Sequence, residues 1–185
     1  MPEYKLKRLD RKLVCRGKIL NMYRDRMLLP DGSTDDWDFI SHKSGGGACT
    51  VPVLPDGRIL LVRQFRPSMG RETLELPAGA NNRLPDGAIE DPALTAKREL
   101  EEETGYSCNQ LQPLLTLRSA VAYCDEVIHV FLAENVRKIK EQQLDAAEEI
   151  EVEILPLAAL LDLIYEGKIQ DAKTAAGILA FAARK

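Results

Sequence analysis

Short apolar segments separated by turn sequences run through the middle of the chain and predict a β-sheet. Residues 48–54 and 58–65 are rich in aliphatic side chains and flank Pro55-Asp56-Gly57, a turn sequence. Two such segments joined by a short loop predict an antiparallel hairpin. Segments of the same type predict further strands at residues 72–76, 114–117, 127–133 and 150–155.

Other segments have the boundary signals of helices. Asp91 followed by Pro92 supplies an N-cap and a proline at the first helical position, and Gly105 can take the left-handed conformation after the last turn. Further helices are predicted at residues 157–166 and 171–182. This order of strands and helices fits an α/β fold, in which a mixed sheet lies between helical layers.

Residues 1–44 differ from the rest of the chain and predict a small antiparallel β appendage. Residues 17–29 alternate in part, and residues 37–42 form a second strand-like segment beyond the turn sequence Pro30-Asp31-Gly32-Ser33. Ser44-Gly45-Gly46-Gly47 is interpreted as a flexible joint to the main domain, residues 45–185. The exposed strand edge of so small an appendage suggests pairing with a second copy.

Composition and charge narrow the class of protein. The chain has 185 residues and a formal net charge of −4, which argues against a nucleic-acid-binding surface. No apolar run is long enough to span a membrane, and residues 1–12 are too charged for a signal peptide. The cysteines show no metal-like pairing, so we interpret them as reduced thiols of a cytoplasmic protein. They are Cys15, Cys49, Cys108 and Cys124.

The most informative polar pattern lies in the helix that follows Asp91. With 3.6 residues per turn, Glu99, Glu102 and Glu103 stand at i, i+3 and i+4 and share one face. Carboxylates this close repel one another unless a cation lies among them, and hard oxygen ligands suit Mg²⁺ or Mn²⁺ rather than zinc. A solvated helix face would give the same pattern. The strand and glycine turn that precede the helix favour the metal site.

The same residues resemble a known family signature. Glu90, seven intervening residues, and then Arg98-Glu99-Leu100-x-Glu102-Glu103-x-Gly105-Tyr106 resemble the Nudix box, which belongs to hydrolases of nucleoside diphosphates linked to another moiety. The resemblance implies an α/β/α sandwich around a mixed sheet. One feature departs from the family: Leu84 stands where the opening glycine is expected. Gly79 fits that role if the following loop is about five residues longer than usual, which a surface loop tolerates.

Further segments narrow the resemblance to the ADP-ribose pyrophosphatase branch of the Nudix hydrolases. In that branch the N-terminal appendages of two subunits cross, and each completes the substrate pocket of the other. The resemblance therefore implies a homodimer. The segments are Val62-Arg63-Gln64-Phe65-Arg66-Pro67, Leu74-Glu75-Leu76-Pro77-Ala78-Gly79, Asp125-Glu126, Glu148-Glu149-Ile150-Glu151-Val152 and Glu166-Gly167-Lys168-Ile169.

The resemblance assigns metal ligands and a supporting arginine. Glu99, Glu102 and Glu103 are the predicted ligands of Mg²⁺, with Mn²⁺ as an alternative, and the Ala78 carbonyl is an additional ligand. Arg98, one helical turn from Glu102, braces the carboxylates and is grouped with the catalytic residues. Glu90 is expected to orient the loop rather than bind metal.

Substrate contacts are predicted on the strands. The planar guanidinium of Arg66 suits a phosphate or the terminal ribose, and Arg63 is a second candidate, although a solvated position fits it as well. Glu126 matches a substrate-contacting carboxylate of the family, and Glu75 is grouped with these residues.

The general base is expected on the loop before the last strand. Glu148 matches a family position that binds metal or acts as base, followed by Asp145 and Glu149 as alternatives. Ala146 replaces a residue that is often acidic in the family and cannot take this role.

The expected substrate is ADP-ribose or a related nucleoside diphosphate sugar. Many ADP-ribose hydrolases carry Ser-Pro-Gly after the box, whereas this chain has Ala120-Val121-Ala122, so GDP-mannose or another sugar nucleotide is the alternative. From a different class, a catalytically silent Nudix-like domain that binds a nucleotide and regulates a partner would share the fold. Such modules typically lose box glutamates, and none is missing here.

Overall fold

The fold is seen in a computed structural model, which describes residues 4–146 and 148–184. Its central feature is a mixed sheet in the order β12-β5-β4-β10-β9, in which β4 and β10 run parallel and the other neighbours antiparallel. Strand β6 extends the sheet from β5, and β7 pairs with β4. The strands are β4 (Gly46–Val53), β5 (Ile59–Arg66), β6 (Arg71–Glu75), β7 (Ala78–Ala80), β9 (Leu111–Arg118), β10 (Val127–Glu134) and β12 (Ile150–Leu155).

Helices cover both faces of this sheet. Ala48 on β4 and Phe131 on β10 pack against Ala96 of helix α1. Their neighbours along the strands, Cys49 and Val130, belong to the large core cluster under α2 and α3. Successive side chains of a strand point to opposite faces, so the helices lie on opposite sides. The predicted α/β/α sandwich is confirmed. The helices are α1 (Pro92–Thr104), α2 (Leu157–Tyr165) and α3 (Ala172–Ala182), and a small ribbon joins β8 (Tyr106–Ser107) and β11 (Arg137–Lys138).

The boundary signals of the helices are confirmed. Asp91 caps α1 by accepting a hydrogen bond from the Ala93 amide, and Gly105 ends it in the left-handed conformation with φ 74°. Asp171 caps α3 by accepting from the Thr174 amide. These signals are local, which is why the pattern alone located the helices.

The N-terminal strands form a separate antiparallel sheet, as predicted, but with one strand more than expected. Its order is β1-β2-β3, and the pattern missed the first strand because every residue of it is exposed. Without a buried face, a strand shows little hydrophobic alternation. The strands are β1 (Lys7–Arg16), β2 (Leu20–Leu28) and β3 (Thr34–His42).

The flexible joint predicted at residues 44–47 is wrong. Gly46 and Gly47 are buried and open β4, where Gly46 has φ 137° and a Cβ atom would overlap the backbone of Val127. The glycines therefore serve a close backbone approach. The division of the chain at residue 44 stays a prediction.

No helix in residues 4–146 and 148–184 is long and apolar enough to cross a membrane.

Candidate active site

Helix α1 presents its acidic face around one arginine. Arg98 Nη1 donates to Glu99 Oε1 at 2.6 Å and to Glu102 Oε2 at 3.0 Å. Its Nη2 donates to Glu90 Oε2 and to the Ala80 carbonyl, both at 3.4 Å. The i, i+4 spacing of Arg98 and Glu102 thus places the guanidinium among three carboxylates, as a brace requires.

Glu103 lies on the same helix, but the ion pairs found among residues 4–146 and 148–184 do not include it. It is 4% exposed, and its side chain accepts a hydrogen bond from the Ala78 amide at 3.0 Å. Burial is the main cause that raises the pKa of this carboxyl to about 8. The charges of Glu99 and Glu148 also raise it, while the hydrogen bond from Ala78 and the charge of Lys173 lower it. Burial likewise raises the pKa of Glu99, and the nearby Arg98 offsets this only in part. The helix face is therefore short of positive charge.

The donor set fits a hard divalent cation. Glu103 is a buried carboxylate without a counter-charge, and Glu99 and Glu102 lie one turn or less away. In the part of the chain that the structure describes, no three acidic, cysteine or histidine side chains converge closely enough to enclose an ion. Arg98 binds Glu99 and Glu102, so a cation must compete with Arg98 for them. The assignment of Glu99, Glu102, Glu103 and the Ala78 carbonyl as ligands stays a prediction.

A glycine lets the turn after β6 approach the acidic helix. A Cβ atom at Gly79 would overlap the Glu99 carboxylate. Glycine at this position therefore allows β7 to lie directly against the side chains of α1, beside Ala78, which contacts Glu103.

Glu90 organises the long loop that leads into α1. Its carboxylate accepts from the Asn82 amide at 3.3 Å and from Thr95 Oγ1 at 2.9 Å, in addition to Arg98. Arg83 ties the loop to the N-terminal part of the chain by donating to the Lys43 carbonyl at 2.7 Å. These contacts fit the predicted orienting role of Glu90.

A second charged cluster lies near β7, centred on Glu75. The Glu75 carboxylate is 3% exposed and accepts from Arg66 at 2.7 Å through both Nε and Nη2, from Lys173 Nζ at 2.6 Å and from Thr73 Oγ1 at 2.7 Å. Burial alone would raise the pKa of Glu75, but Arg66 and Lys173 outweigh it and lower the pKa to about 2. Lys173 also pairs with Asp171 at 3.0 Å.

Lys173 is the functional residue that the sequence analysis missed. Its side chain is 13% exposed, and it lies in the first turn of α3, where the helix dipole disfavours a cation. A lysine two residues after the N-cap, in a helix with no other charged residue, was the available signal. Its carboxylate partners, Glu75 and Asp171, compensate for the dipole and for burial.

A groove runs from β7, which lies against the acidic helix, to the Glu75 cluster. One cavity of about 530 Å³ is bounded by β7 and Arg118, and an adjoining cavity of about 870 Å³ reaches Leu20 and Tyr123. Ala120, from the segment that departs from Ser-Pro-Gly, lines the second cavity. Seven residues line both cavities: His42, Arg66, Ser119, Glu126, Asp171, Ala172 and Lys173.

The predicted substrate residues occupy different places. Arg66 and Glu126 line both cavities, and Glu75 lines the larger one while holding Arg66. Arg63 is not among the lining residues; its Nε donates to Glu153 Oε2 of the neighbouring strand β12 at 3.0 Å. Side chains alternate along a strand, so Arg63 and Arg66, three residues apart on β5, point to opposite faces of the sheet. The substrate role of each residue stays a prediction.

The predicted base loop lies near the acidic helix. Asp145, Glu148 and Glu149 are all exposed, and Glu148 Oε2 accepts from the Asp145 amide at 2.9 Å. Glu148 is close enough for its charge to raise the pKa of both Glu99 and Glu103. This geometry favours Glu148 over the alternatives.

Most of the chain is similar to known proteins. The family model described as "NUDIX domain" matches residues 44–176. An ADP-ribose pyrophosphatase of Bacillus subtilis (strain 168) is 35% identical over 179 residues, which cover 94% of this chain and 93% of that protein. A protein of Bacillus methanolicus described as a methanol dehydrogenase activator is 32% identical over 169 residues, covering 91% of this chain and 88% of that protein.

A solved structure supports the fold. The structure described as "Crystal structure of ADP compounds hydrolase" superimposes with a TM-score of 0.82 at 19% sequence identity, covering 100% of this chain and 96% of the other. At this identity the similarity shows the fold alone.

Proposed function

The chain belongs to the NUDIX domain family, and from this we propose that it is a metal-dependent pyrophosphohydrolase. The proposed reaction cleaves the diphosphate of ADP-ribose, or of a related nucleoside diphosphate sugar, to a nucleoside monophosphate and a sugar phosphate. One observation carries the proposal: the buried carboxylate of Glu103 accepts from the amide of Ala78, and Ala78 lines a groove whose wall also holds Arg66 and Lys173. That arrangement suits a substrate that brings a diphosphate together with a divalent cation.

The residues of the groove divide the work of binding. Glu99, Glu102, Glu103 and the Ala78 carbonyl would hold Mg²⁺, with Mn²⁺ as an alternative. When bound, such an ion neutralises phosphate oxygens and lowers the pKa of bound water. Arg66 supplies a planar fork for phosphate oxygens, and its pairing with Glu75 fixes the direction of the guanidinium. The chain carries a net charge of −4, so its overall field does not attract an anion and these local cations are needed.

The proton of the attacking water goes to a carboxylate. Glu148 is exposed and lies on a loop near the acidic helix. We therefore propose Glu148 as the general base. Arg98 acts indirectly by holding Glu90, Glu99 and Glu102 in one arrangement.

The enzyme assay is the direct test of the proposal. We expect AMP release from ADP-ribose in Mg²⁺ that stops when EDTA is added, because the carboxylate cluster alone cannot neutralise a diphosphate. GDP-mannose, ADP-glucose and NADH are assayed beside it. Faster cleavage of GDP-mannose would keep the chemistry and assign the Ala120-Val121-Ala122 wall to sugar selection.

A silent binding domain is the rival from another class. The Bacillus methanolicus relative is described as a methanol dehydrogenase activator, which supports the hypothesis of a regulatory binding domain. All box glutamates are present here; Glu90, Glu99 and Glu102 contact Arg98, and Glu103 accepts from the Ala78 amide. Absence of metal-dependent turnover with every substrate would favour the silent domain over the hydrolase.

We also propose a homodimer formed through the N-terminal sheet. Strand β1 pairs only with β2 among the described residues and is exposed along its whole length, including Leu9 and Val14. The unpaired backbone groups and apolar side chains of a long exposed edge strand favour pairing with another chain.

Sedimentation velocity tests the dimer. We expect the intact protein to sediment as a dimer at micromolar concentration, and the double substitution Leu9→Glu with Val14→Glu to give a monomer. Tyr165→Glu on α2, another exposed apolar residue, is the matched control and should leave the dimer intact. A wild-type monomer would refute the proposal.

Location and the excluded partners stay predictions from the sequence. The described cysteines are all free thiols, which supports a cytoplasmic protein that cell fractionation would test. Nucleic acid and membrane are not among the proposed partners.

A further inference from the structure

The side-chain amide of Gln142 joins two elements of the active site. Its Nε2 donates to the Glu103 carbonyl at 2.6 Å and to the Ile150 carbonyl at 3.1 Å. The first carbonyl belongs to the last turn of α1, where four carbonyls lack partners within the helix. The second belongs to the first residue of β12. One half-buried amide therefore links the acidic helix to the sheet.

The two bonds close the base of a short loop. The loop begins at Gln142, whose side chain contacts α1, and eight residues later the Ile150 carbonyl accepts from the same side-chain amide. Backbone hydrogen bonds hold the start of this loop and the residues just before it. The Gln143 amide donates to the Glu102 carbonyl and the Ile139 amide to the Gly105 carbonyl, both at 2.8 Å. No corresponding backbone bond to α1 is found among the described residues after Gln143, so the Gln142 side chain holds the returning half.

Glu148 lies on the returning half of this loop. Within the loop, the Glu148 amide donates to the Asp145 carbonyl and the Asp145 amide donates to Glu148 Oε2, both at 2.9 Å. These bonds shape the turn but do not set its distance from α1. That distance matters because the charge of Glu148 acts on the carboxylates of Glu99 and Glu103.

We propose that Gln142 is a positioning residue that holds the Glu148 loop against α1 and so sets the separation of Glu148 from Glu103. The inference rests on the proposed function, in which Glu148 acts as the base. Among the described residues, the hydrogen bonds found for the Gln142 side chain go to the Glu103 and Ile150 carbonyls and not to the cavity-lining residues, so it acts through the loop. A displacement of about 1 Å of a catalytic group can cost on the order of 10²-fold in rate.

The substitution Gln142→Leu tests the proposal because it keeps the size of the side chain and removes both donors. We expect kcat for the substrate found in the enzyme assay to fall roughly 10- to 100-fold while KM stays within about 3-fold. Gln143→Leu is the matched control. The Gln143 side chain is exposed, and its one hydrogen bond found among the described residues is accepted from Lys140 Nζ at 2.7 Å, so its loss should leave kcat unchanged.

A double-mutant cycle separates positioning from a general loss of structure. If Gln142 acts through Glu148, then Gln142→Leu added to Glu148→Gln should cost less than about 3-fold more, because the group it positions is already absent. An equal loss in both backgrounds would overturn the proposal. So would a Gln142→Leu protein with the kcat of the wild type. Gln142→Asn, which shortens the reach but stays polar, repeats the test if the leucine variant folds poorly.

Hydrogen exchange gives a readout that needs no activity. Amides of residues 144–146, 148 and 149 should exchange faster in Gln142→Leu than in Gln143→Leu, while those of α1 keep their protection. Unchanged exchange in these residues would overturn the proposal. If the wild type hydrolyses none of the substrates, the proposed function fails, and the exchange result still decides whether Gln142 holds the loop.

Discussion

The substitution Glu103→Gln is expected to reduce the rate of Mg²⁺-dependent hydrolysis by about 10³-fold or more. Glu103 is the most buried of the α1 carboxylates and is in none of the ion pairs found among the described residues, so it is the residue whose charge a bound metal would compensate most directly. Losing one carboxylate ligand removes several kcal/mol of charge stabilisation, and each ~1.4 kcal/mol is a tenfold change in rate.

The same substitution should stabilise the metal-free protein. Burial raises the pKa of Glu103 to about 8 in the folded state from an ordinary value of 4.5. The folded protein therefore keeps a proton that the unfolded chain loses as the pH rises above 4.5, and stability falls until the folded carboxyl also ionises near pH 8. Glutamine mimics the protonated form. Glu103→Gln should gain a few kcal/mol relative to the wild type at pH 8 and almost nothing at pH 4.

Urea unfolding in EDTA at several pH values, together with the hydrolysis rate in Mg²⁺, measures both effects. Glu101→Gln is the matched control, because Glu101 stands on the same helix but accepts a hydrogen bond from Ser107 Oγ at 2.6 Å, outside the Arg98 cluster. It should change neither property much. A Glu103→Gln protein that hydrolyses as fast as the wild type would refute the metal assignment.

The second large effect is expected at Glu148. Glu148→Gln should lower kcat by about 10²- to 10³-fold with little change in KM, since a general base contributes to the transition state and not to substrate binding. Glu148 is the carboxylate of its loop whose charge reaches Glu99 and Glu103. The amide keeps the hydrogen bond from the Asp145 backbone, so the turn itself should persist.

Parallel kinetics of Asp145→Asn and Glu149→Gln decide among the three candidates. We expect each of these to lose less than about 5-fold, a limit well below the contribution of a general base. Should Asp145→Asn lose more than Glu148→Gln, the base would be Asp145. Loss of metal affinity together with kcat in Glu148→Gln would make Glu148 a metal ligand.

Local sequence signals determined the acidic helix almost completely. The Asp91 cap, the proline after it and the left-handed Gly105 are properties of a few adjacent residues, and the structure ends the helix where they predict. The 3.6-residue period likewise placed Glu99, Glu102 and Glu103 on one face. The central strands were found for a similar reason, because their burial produces runs of aliphatic residues.

Contacts between distant parts of the chain decided the rest. Strand β1 was missed because it is exposed along its whole length. Gly46 of β4 was misread because its backbone lies against Val127, which is far away in the chain. Lys173 joins Glu75 across 98 residues, and Gln142 joins Glu103 across 39. No periodicity reports such pairings.

For this protein, the sequence alone therefore determined the helix that carries the acidic residues, the fold class and the family signature. The tertiary structure decided which charges are compensated: Arg98 and Glu75 have charged partners, whereas Glu103 is buried and is in none of the ion pairs found among the described residues. The physical reason is that burial and electrostatic neighbours, which set the pKa of a carboxyl, arise only when remote segments pack together.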